Sequence, residues 1–329
     1  MKKVIGIGNA LVDALVQMDD DSLFTQLGLE KGGMHLISSH EAAHIRKLFD
    51  KMNVEYATGG SARNTAHALA RLGAEVGFIG KIGRDETGAF FRDNCQETGI
   101  DLKLIECDLP SGIAHTFITP DGERTFGTHL GAAALMTEDE MTDNLLEGYD
   151  YLYVEGYLVQ NHPMIERIMR MAKDKGMKIC IDLASFNIVL GDKEFFTHLV
   201  EEYTDIVFAN EEEAHSFTGS TDPVEAAKTI ARMCQMAVVK MGAKGVCIVE
   251  GEQTTIESSI KVDHVVDTTA AGDFFAGGFM LGLTKGLSTR KCAQIGSLMG
   301  GTVIQYIGTK VPESVWTELK EKTETIEKS

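Results

Sequence analysis

Positive charge is scarce in this chain. Its 329 residues carry 31 lysines and arginines against 49 aspartates and glutamates, a formal net charge of −18. So acidic a protein is poorly suited to nucleic acid or an anionic membrane surface. A polyanionic ligand would have to be held by backbone donors, a metal ion and a few placed cations. Long apolar runs are missing too: no stretch approaches the roughly 18 residues of a membrane span. Met1-Lys2-Lys3 leads straight into Val4-Ile5-Gly6-Ile7-Gly8, too short a run for a signal peptide, so the cytoplasm is expected. The cysteines at 95, 107, 180, 234, 247 and 292 include no Cys-x-x-Cys pair and read as buried reduced thiols. Gly6-Ile7-Gly8-Asn9-Ala10-Leu11 lacks the third glycine of a dinucleotide fingerprint.

The informative residues are concentrated between His264 and Leu283. His264-Val265-Val266 reads as a strand end, and Asp267-Thr268-Thr269-Ala270-Ala271-Gly272-Asp273 as a small-residue turn. Phe274 to Leu283 follows as a helix apolar nearly all round, hence buried. Gly277 and Gly278 each cost such a helix about 1 kcal/mol relative to alanine, which implies that something approaches its backbone closely. The first N–H groups of a helix have no partner within it and carry roughly half a positive charge. Ala270, Ala271 and Gly272 leave those donors open to an anion. Asp273 would repel that anion, unless it removes the proton from a hydroxyl attacking a phosphoryl group held by the turn. The alternative is an N-cap on a core helix.

Earlier in the chain, Asp13 lies among Leu11, Val12, Ala14, Leu15 and Val16. An acid there is expensive to bury unpaired, so it either binds a substrate hydroxyl or faces outward. Helices are expected over Asp19–Leu27 and Ser39–Met52, the second capped by Ser39. Gly59-Gly60-Ser61 leads into a helix that carries Asn64 in its first turn and ends at Gly73. Ser111–Thr119 and Arg124–Leu130 flank Pro120-Asp121-Gly122-Glu123, a hairpin turn. Its two-sided alternation fits a lid over a pocket, with Arg124 either above a phosphate or simply exposed. From Tyr149 strands alternate with helices, which predicts a mostly parallel sheet covered on both faces. Ligands then bind at the carboxyl ends of the strands, where Asn210, Lys240, Gly242, Gly245 and Asp267 fall. The length calls for a large domain and a smaller one, and the tail after Val315 reads as a charged surface helix.

Together these residues resemble the ribokinase-like carbohydrate kinases, also called the phosphofructokinase-B family, over nearly the whole chain. Gly59-Gly60-Ser61-Ala62-Arg63-Asn64-Thr65-Ala66, with Gly73 and Gly83, is similar to the N-terminal signature, and Asp267 to Asp273 to the C-terminal one. Asn210-Glu211-Glu212-Glu213 matches an Asn-x-x-Glu motif, and Lys240 to Gly245 a nucleotide-side loop. The resemblance implies one α/β unit over 1–329, with a central, mostly parallel sheet between helices. A small β-sheet lid would come from segments at roughly 11–38 and 108–131. It implies an ATP-dependent kinase with Asp273 as general base and Ala270, Ala271 and Gly272 as the anion hole. Asn9, Asp13, Gly59, Gly60, Ser61 and Asn64 would hold the acceptor. Asn210 and Glu213 would act around Mg2+ and the phosphates, Glu213 through water. Lys240, Gly242, Gly245, Thr268, Gly272 and Ser297 would line ATP. Asp267, Thr269 and Gly308 match a loop that in many members holds a monovalent cation such as K+. Many relatives have glycine at Ala270; ribokinases share the alanine, so it does not imply loss of activity.

The acceptor is less constrained. Gly8 to Asp13, the Gly-Gly-Ser signature, and Arg124 followed by Leu130 to Ala133 look most like adenosine kinases. Phe126 and Tyr157 would flank a flat base, or serve only as lid and core hydrophobes. A nucleoside, adenosine first, is therefore expected, with ribose, fructose or a related sugar as the alternative. A non-catalytic sugar- or nucleotide-binding regulator and an NAD-dependent dehydrogenase are remote readings. The partners expected are small molecules; lid sheets of some relatives pair between subunits, so a homodimer is compatible.

Overall fold

Alternation within the strands decides the layering. Successive side chains point to opposite faces of a sheet, so a strand apolar at every position must be covered twice. Val4, Val76, Phe78, Tyr151 and Tyr153 enter one core, and Ile5, Ile7, Ile79, Leu152 and Val154 enter another. The computed structural model describes residues 1–120 and 124–329; the Asp121-Gly122 turn expected at the hairpin tip lies outside them.

Among the described residues the larger sheet has nine strands. Their spatial order is Gln253–Glu257, Val246–Glu250, Met236–Lys240, Ile206–Asn210, Lys178–Asp182, Tyr151–Glu155, Val4–Ile7, Val76–Gly83 and Asp101–Cys107. All neighbours from Met236–Lys240 onward are parallel. The first two strands form an antiparallel hairpin on that edge, which sequence reasoning did not anticipate. A ribokinase-like α/β fold results, with a second, smaller sheet beside it. Among the described residues that sheet has five strands, in the order Met34–Leu36, Arg124–His129, Gly112–Ile118, Leu11–Gln17 and Glu55–Gly59. Glu55–Gly59 lies outside the two segments expected for a lid. The outer face of this sheet is covered by the chain's own helices Ser22–Leu27 and Ser39–Phe49, with Phe24, Ile45 and Phe49 packed around Phe117.

Between the sheet and the solvent, helix Ala271–Thr284 is buried along almost its whole length. Its glycines answer to two neighbouring helices. A Cβ on Gly277 would come within 2.6 Å of the Ala68 Cβ, and one on Gly278 within 2.7 Å of the Ile295 carbonyl. Ser61–Arg71 and Thr289–Val303 can therefore approach on either side.

Some local expectations are corrected. His264-Val265-Val266 is not a strand: the Val266 and Asp267 N–H groups both donate to the Ile304 carbonyl, capping the end of a helix rather than joining a sheet. The cap of helix Ser39–Phe49 is Ser38, which forms a reciprocal capping box with Glu41. Cys107 and Cys234 are only partly buried, although all six cysteines are free thiols. The C-terminal helix Glu313–Lys328 is charged outside but buries Trp316 and Leu319. Among the described residues no helix is long and apolar enough to cross a membrane.

Candidate active site

Two helix N-termini meet above the carboxyl ends of the parallel strands. Helix Ser61–Arg71 begins at Gly60, whose φ of 97° and closeness to the Asn9 carbonyl exclude a side chain. At Gly59 a Cβ would lie 2.6 Å from the Asp13 carboxylate, so glycine there makes room for that acid. Opposite stands the first turn of helix Ala271–Thr284, where Ala270 adopts a left-handed conformation with φ 62°. A non-glycine residue held in that region stores strain, a frequent property of functional turns.

The two N-termini are joined through Asp273. Its carboxylate accepts the Ser61 hydroxyl at 2.7 Å and the Asn64 side-chain amide at 3.0 Å, and its backbone carbonyl accepts Thr65. Burial lifts the Asp273 pKa to about 6, against the Asn64 and Ser61 bonds and Lys240 and with the help of Asp182. The group is therefore ionised at neutral pH and more basic than an ordinary carboxylate. Ser61 and Asn64, expected on an acceptor, are thus hydrogen-bonded to the expected base.

Lys240 ends strand Met236–Lys240 and pairs with Asp182, the last residue of the neighbouring strand but one, at 3.1 Å. A Cβ on Gly272 would lie 3.0 Å from its ammonium, which places the charge directly over the small-residue turn. Burial alone would depress the Lys240 pKa; Asp182, Glu213 and Asp273 outweigh it and raise it. Asp182 is further fixed by the Tyr153 hydroxyl and the Ala184 N–H. The Asn-x-x-Glu motif folds as a capping box. Both Glu213 oxygens accept from Asn210, and Asn210 accepts the Glu213 N–H, all at 2.7–2.8 Å. Burial raises Glu213 to about 7, with Lys240 opposing.

These groups open onto a cleft of about 1100 Å³. Its walls include Ser61, Tyr157, Asn210, Glu213, Lys240, Gly242, Gly245, Thr268, Ala270 to Asp273 and Ser297, all anticipated from the sequence. Ile260, Val262, Val265 and Ile304 supply an apolar end that was not. Asp13 and Gly59 belong to the small sheet, and Asn9, Gly60 and Asn64 adjoin them in the chain or at the following helix. Asn9 is held by Glu155, which accepts its side-chain amide at 2.7 Å and also the Ala62 N–H at 3.0 Å. Burial raises Glu155 to about 7 despite those bonds. Asp13 is raised to about 6 by burial, with Arg63 and Arg124 opposing and Asp267 adding.

Strand register shows what shares the Asp13 face of the small sheet. Asp13 pairs with Ala114 and Ala114 with Thr128, while Leu15 pairs with Thr116 and Thr116 with Phe126. Phe126 and Thr128 pair in turn with Met34 and Leu36. All these side chains share one face, together with Arg124 opposite Ile118. Arg124 reaches across to Asp267 at 2.7 Å, so this face looks onto the small-residue turn. Asp267 in turn accepts the Thr269 N–H at 3.0 Å and the Gly308 N–H at 2.6 Å. The three residues expected around a monovalent cation are therefore together, and Arg124, expected above the phosphates, is with them.

Asp182, Glu155 and Arg63 were missed. Asp182 and Glu155 each end a parallel strand, the same signal that singled out Asn210 and Lys240. Arg63 is buried, donating to the Thr58 carbonyl and to Asn94. Among the described residues no group of three or more His, Cys, Asp or Glu side chains is arranged to hold a metal ion.

Comparison with known proteins bears on the fold and the family. The chain is 32% identical to the adenosine kinase of Sinorhizobium meliloti, with a TM-score of 0.86 over 98% of this chain and 99% of that one. It is 31% identical to a probable sugar kinase from Rhizobium etli, TM-score 0.87, covering 98% of both chains. Adenosine kinase 2 of Arabidopsis thaliana is 27% identical over 94% of this chain and 96% of its own. The model of the pfkB family carbohydrate kinases matches residues 41–316, and with the fold and the turn in place the chain belongs to that family of phosphotransferases.

Proposed function

We propose that the protein transfers the γ-phosphoryl group of ATP to the primary hydroxyl of a nucleoside, adenosine being favoured. The observation that carries the nucleoside reading is the inner face of the small sheet. Met34 and Leu36 are 52% and 59% exposed there, in register with Phe126 and Thr128, on the edge strand of the face that carries Asp13 three strands away. Large apolar side chains held open on the face that also carries a hydroxyl ligand suit a flat base attached to a ribose. A free sugar would leave them uncovered.

In this reading Asp13, Gly59 and Asn9 hold the ribose, and Asp273 takes the proton from the attacking hydroxyl. The first-turn N–H groups after Ala270 and the Lys240 ammonium receive the charge on the transferring phosphoryl. Lid closure keeps water from the phosphoryl group. Magnesium would be brought by the nucleotide's phosphates and would keep several of its waters, as is usual for this ion. The chain's own contribution fits that division, because Glu213 has both oxygens on Asn210 and would act through water. A homodimer built on the lid would have to use an edge strand, since the chain's own helices already fill the outer face.

The test is ADP release from ATP and Mg2+ with adenosine, inosine, guanosine, ribose and fructose as acceptors. A response to adenosine well above that to the free sugars supports the proposal. Phosphorylation of a sugar alone transfers the same machinery to the sugar reading and refutes the role given to the apolar face.

A further inference from the structure

The loop matched to a monovalent-cation site does not fit one. Asp267 has both carboxylate oxygens engaged, Oδ1 by the Thr269 N–H and Oδ2 by the Gly308 N–H. Oδ2 also takes the Arg124 guanidinium at 2.7 Å, and the two side chains are only 12% and 5% exposed. A carboxylate offers about four lone-pair sites, so three are filled by donors. A metal ion needs oxygens facing it, and here it would meet a guanidinium at contact distance.

We infer that Arg124 takes the place of the monovalent cation, as a positioning residue that acts through Asp267 on the small-residue turn. Arg124 belongs to the lid sheet, whereas Asp267, Thr269 and Ala270 belong to the turn. Asp267 holds the Thr269 N–H, one residue before the strained Ala270 and the first-turn donors of the helix. A closed lid therefore neutralises the acid at the base of the turn and sets the turn's donors toward the phosphates. A free cation would supply the same charge whether the lid were open or shut. With Arg124 in the role, a complete anion site and a closed lid become one event. This inference rests on the phosphoryl-transfer reading of the turn.

The experiment compares the full-length protein with Arg124→Met and Arg124→Lys, in potassium and in tetramethylammonium chloride at equal ionic strength, about 0.1 M. It reads the melting temperature and the calorimetric affinity for ATP with magnesium. Wild type is expected to behave alike in both salts. Arg124→Met should lose roughly tenfold or more in ATP affinity in tetramethylammonium, on the scale of a lost charge-assisted contact. Potassium should restore part of that loss, with saturation, and should raise the melting temperature of this variant only. Arg124→Lys should lie between the two. Saturable potassium activation of wild-type ATP binding or melting would overturn the inference, because an ion would then be serving Asp267 directly. A loss in Arg124→Met that potassium leaves untouched would also overturn it, as would no loss at all. Neither readout uses an acceptor, so a failed acceptor panel and a failure here are separate results.

Discussion

Replacing Asp273 with asparagine separates the chemistry of the turn from its folding. Burial moves this carboxyl from 3.8 to about 6. A group whose native pKa exceeds its unfolded value favours the native state fully below pH about 4, and that contribution is lost as the pH rises through about 6. Two units correspond to about 3 kcal/mol at pH 8. The side chain opens on the cleft and keeps some solvent, so about 1–2 kcal/mol is the realistic penalty. Asparagine removes the penalty and keeps both partners, its oxygen toward the Asn64 amide and its NH2 toward the Ser61 hydroxyl, but as neutral rather than charge-assisted bonds, at a cost of about 1 kcal/mol. Asp273→Asn should therefore match wild type at pH 8, or exceed it by up to about 1 kcal/mol. Wild type should gain on the mutant as the pH falls toward 4. Turnover should drop by about 10²- to 10⁴-fold, the scale of general-base catalysis. Denaturant unfolding followed by the single tryptophan, Trp316, which is 2% exposed, reports the first quantity, and steady-state rates report the second. Wild-type turnover in the mutant would refute Asp273 as the base. A mutant about 2 kcal/mol less stable than wild type at pH 8 would refute the account of its burial.

Other substitutions probe neighbouring parts of the site. Asp13→Ala should raise the acceptor KM by roughly 10- to 100-fold, the worth of hydrogen bonds to a charged group, with a smaller change in kcat; an unaltered KM removes Asp13 from the acceptor site. Leu36→Ala should raise the nucleoside KM by about 5- to 30-fold, for about 1–2 kcal/mol of lost burial, and leave the nucleotide KM unchanged. An equal rise in both would mean that the residue serves lid packing. Ala270→Gly should relieve left-handed strain of roughly 1–2 kcal/mol, partly offset by unfolded-state entropy, and raise the melting temperature by about 2 °C. A lower melting temperature would show that the turn is not strained by its Cβ.

What could be read from the sequence is what the backbone must do locally. Gly59 and Gly60 are demanded by Asp13 and by a left-handed φ within a few residues of one another along the fold's entry to a helix. The turn from Asp267 to Asp273 announces itself by its small residues, and Asn210 and Lys240 by ending strands of a parallel sheet. Gly277 and Gly278 implied close neighbours but not which ones; that Ala68 and Ile295 meet them depends on the packing of three helices. Val265-Val266 was misread because β-branched residues favour strands, whereas the choice here fell to the Ile304 carbonyl, which needed a donor at a helix end.

The contacts that stayed hidden share a physical character: each joins charges or donors far apart in the chain. Lys240 meets Asp182 across 58 positions, and Glu155 meets Ala62 across 93. Neither acid carries a motif, and each reads alone as an expensive buried carboxylate. Topology supplies the partner, because parallel strands bring their carboxyl ends to a common edge whatever their separation in sequence. The small sheet goes further, since Arg124 lies on it and Asp267 in the turn before a helix of the larger layer, and only the folded chain brings the two to 2.7 Å. Sequence therefore names the turn proposed to receive a phosphoryl group, while the charges around it emerge from how the two sheets are assembled. That division explains why Arg124 could be assigned to the phosphates and Asp267 to an ion, each plausibly, although the folded chain pairs them with each other.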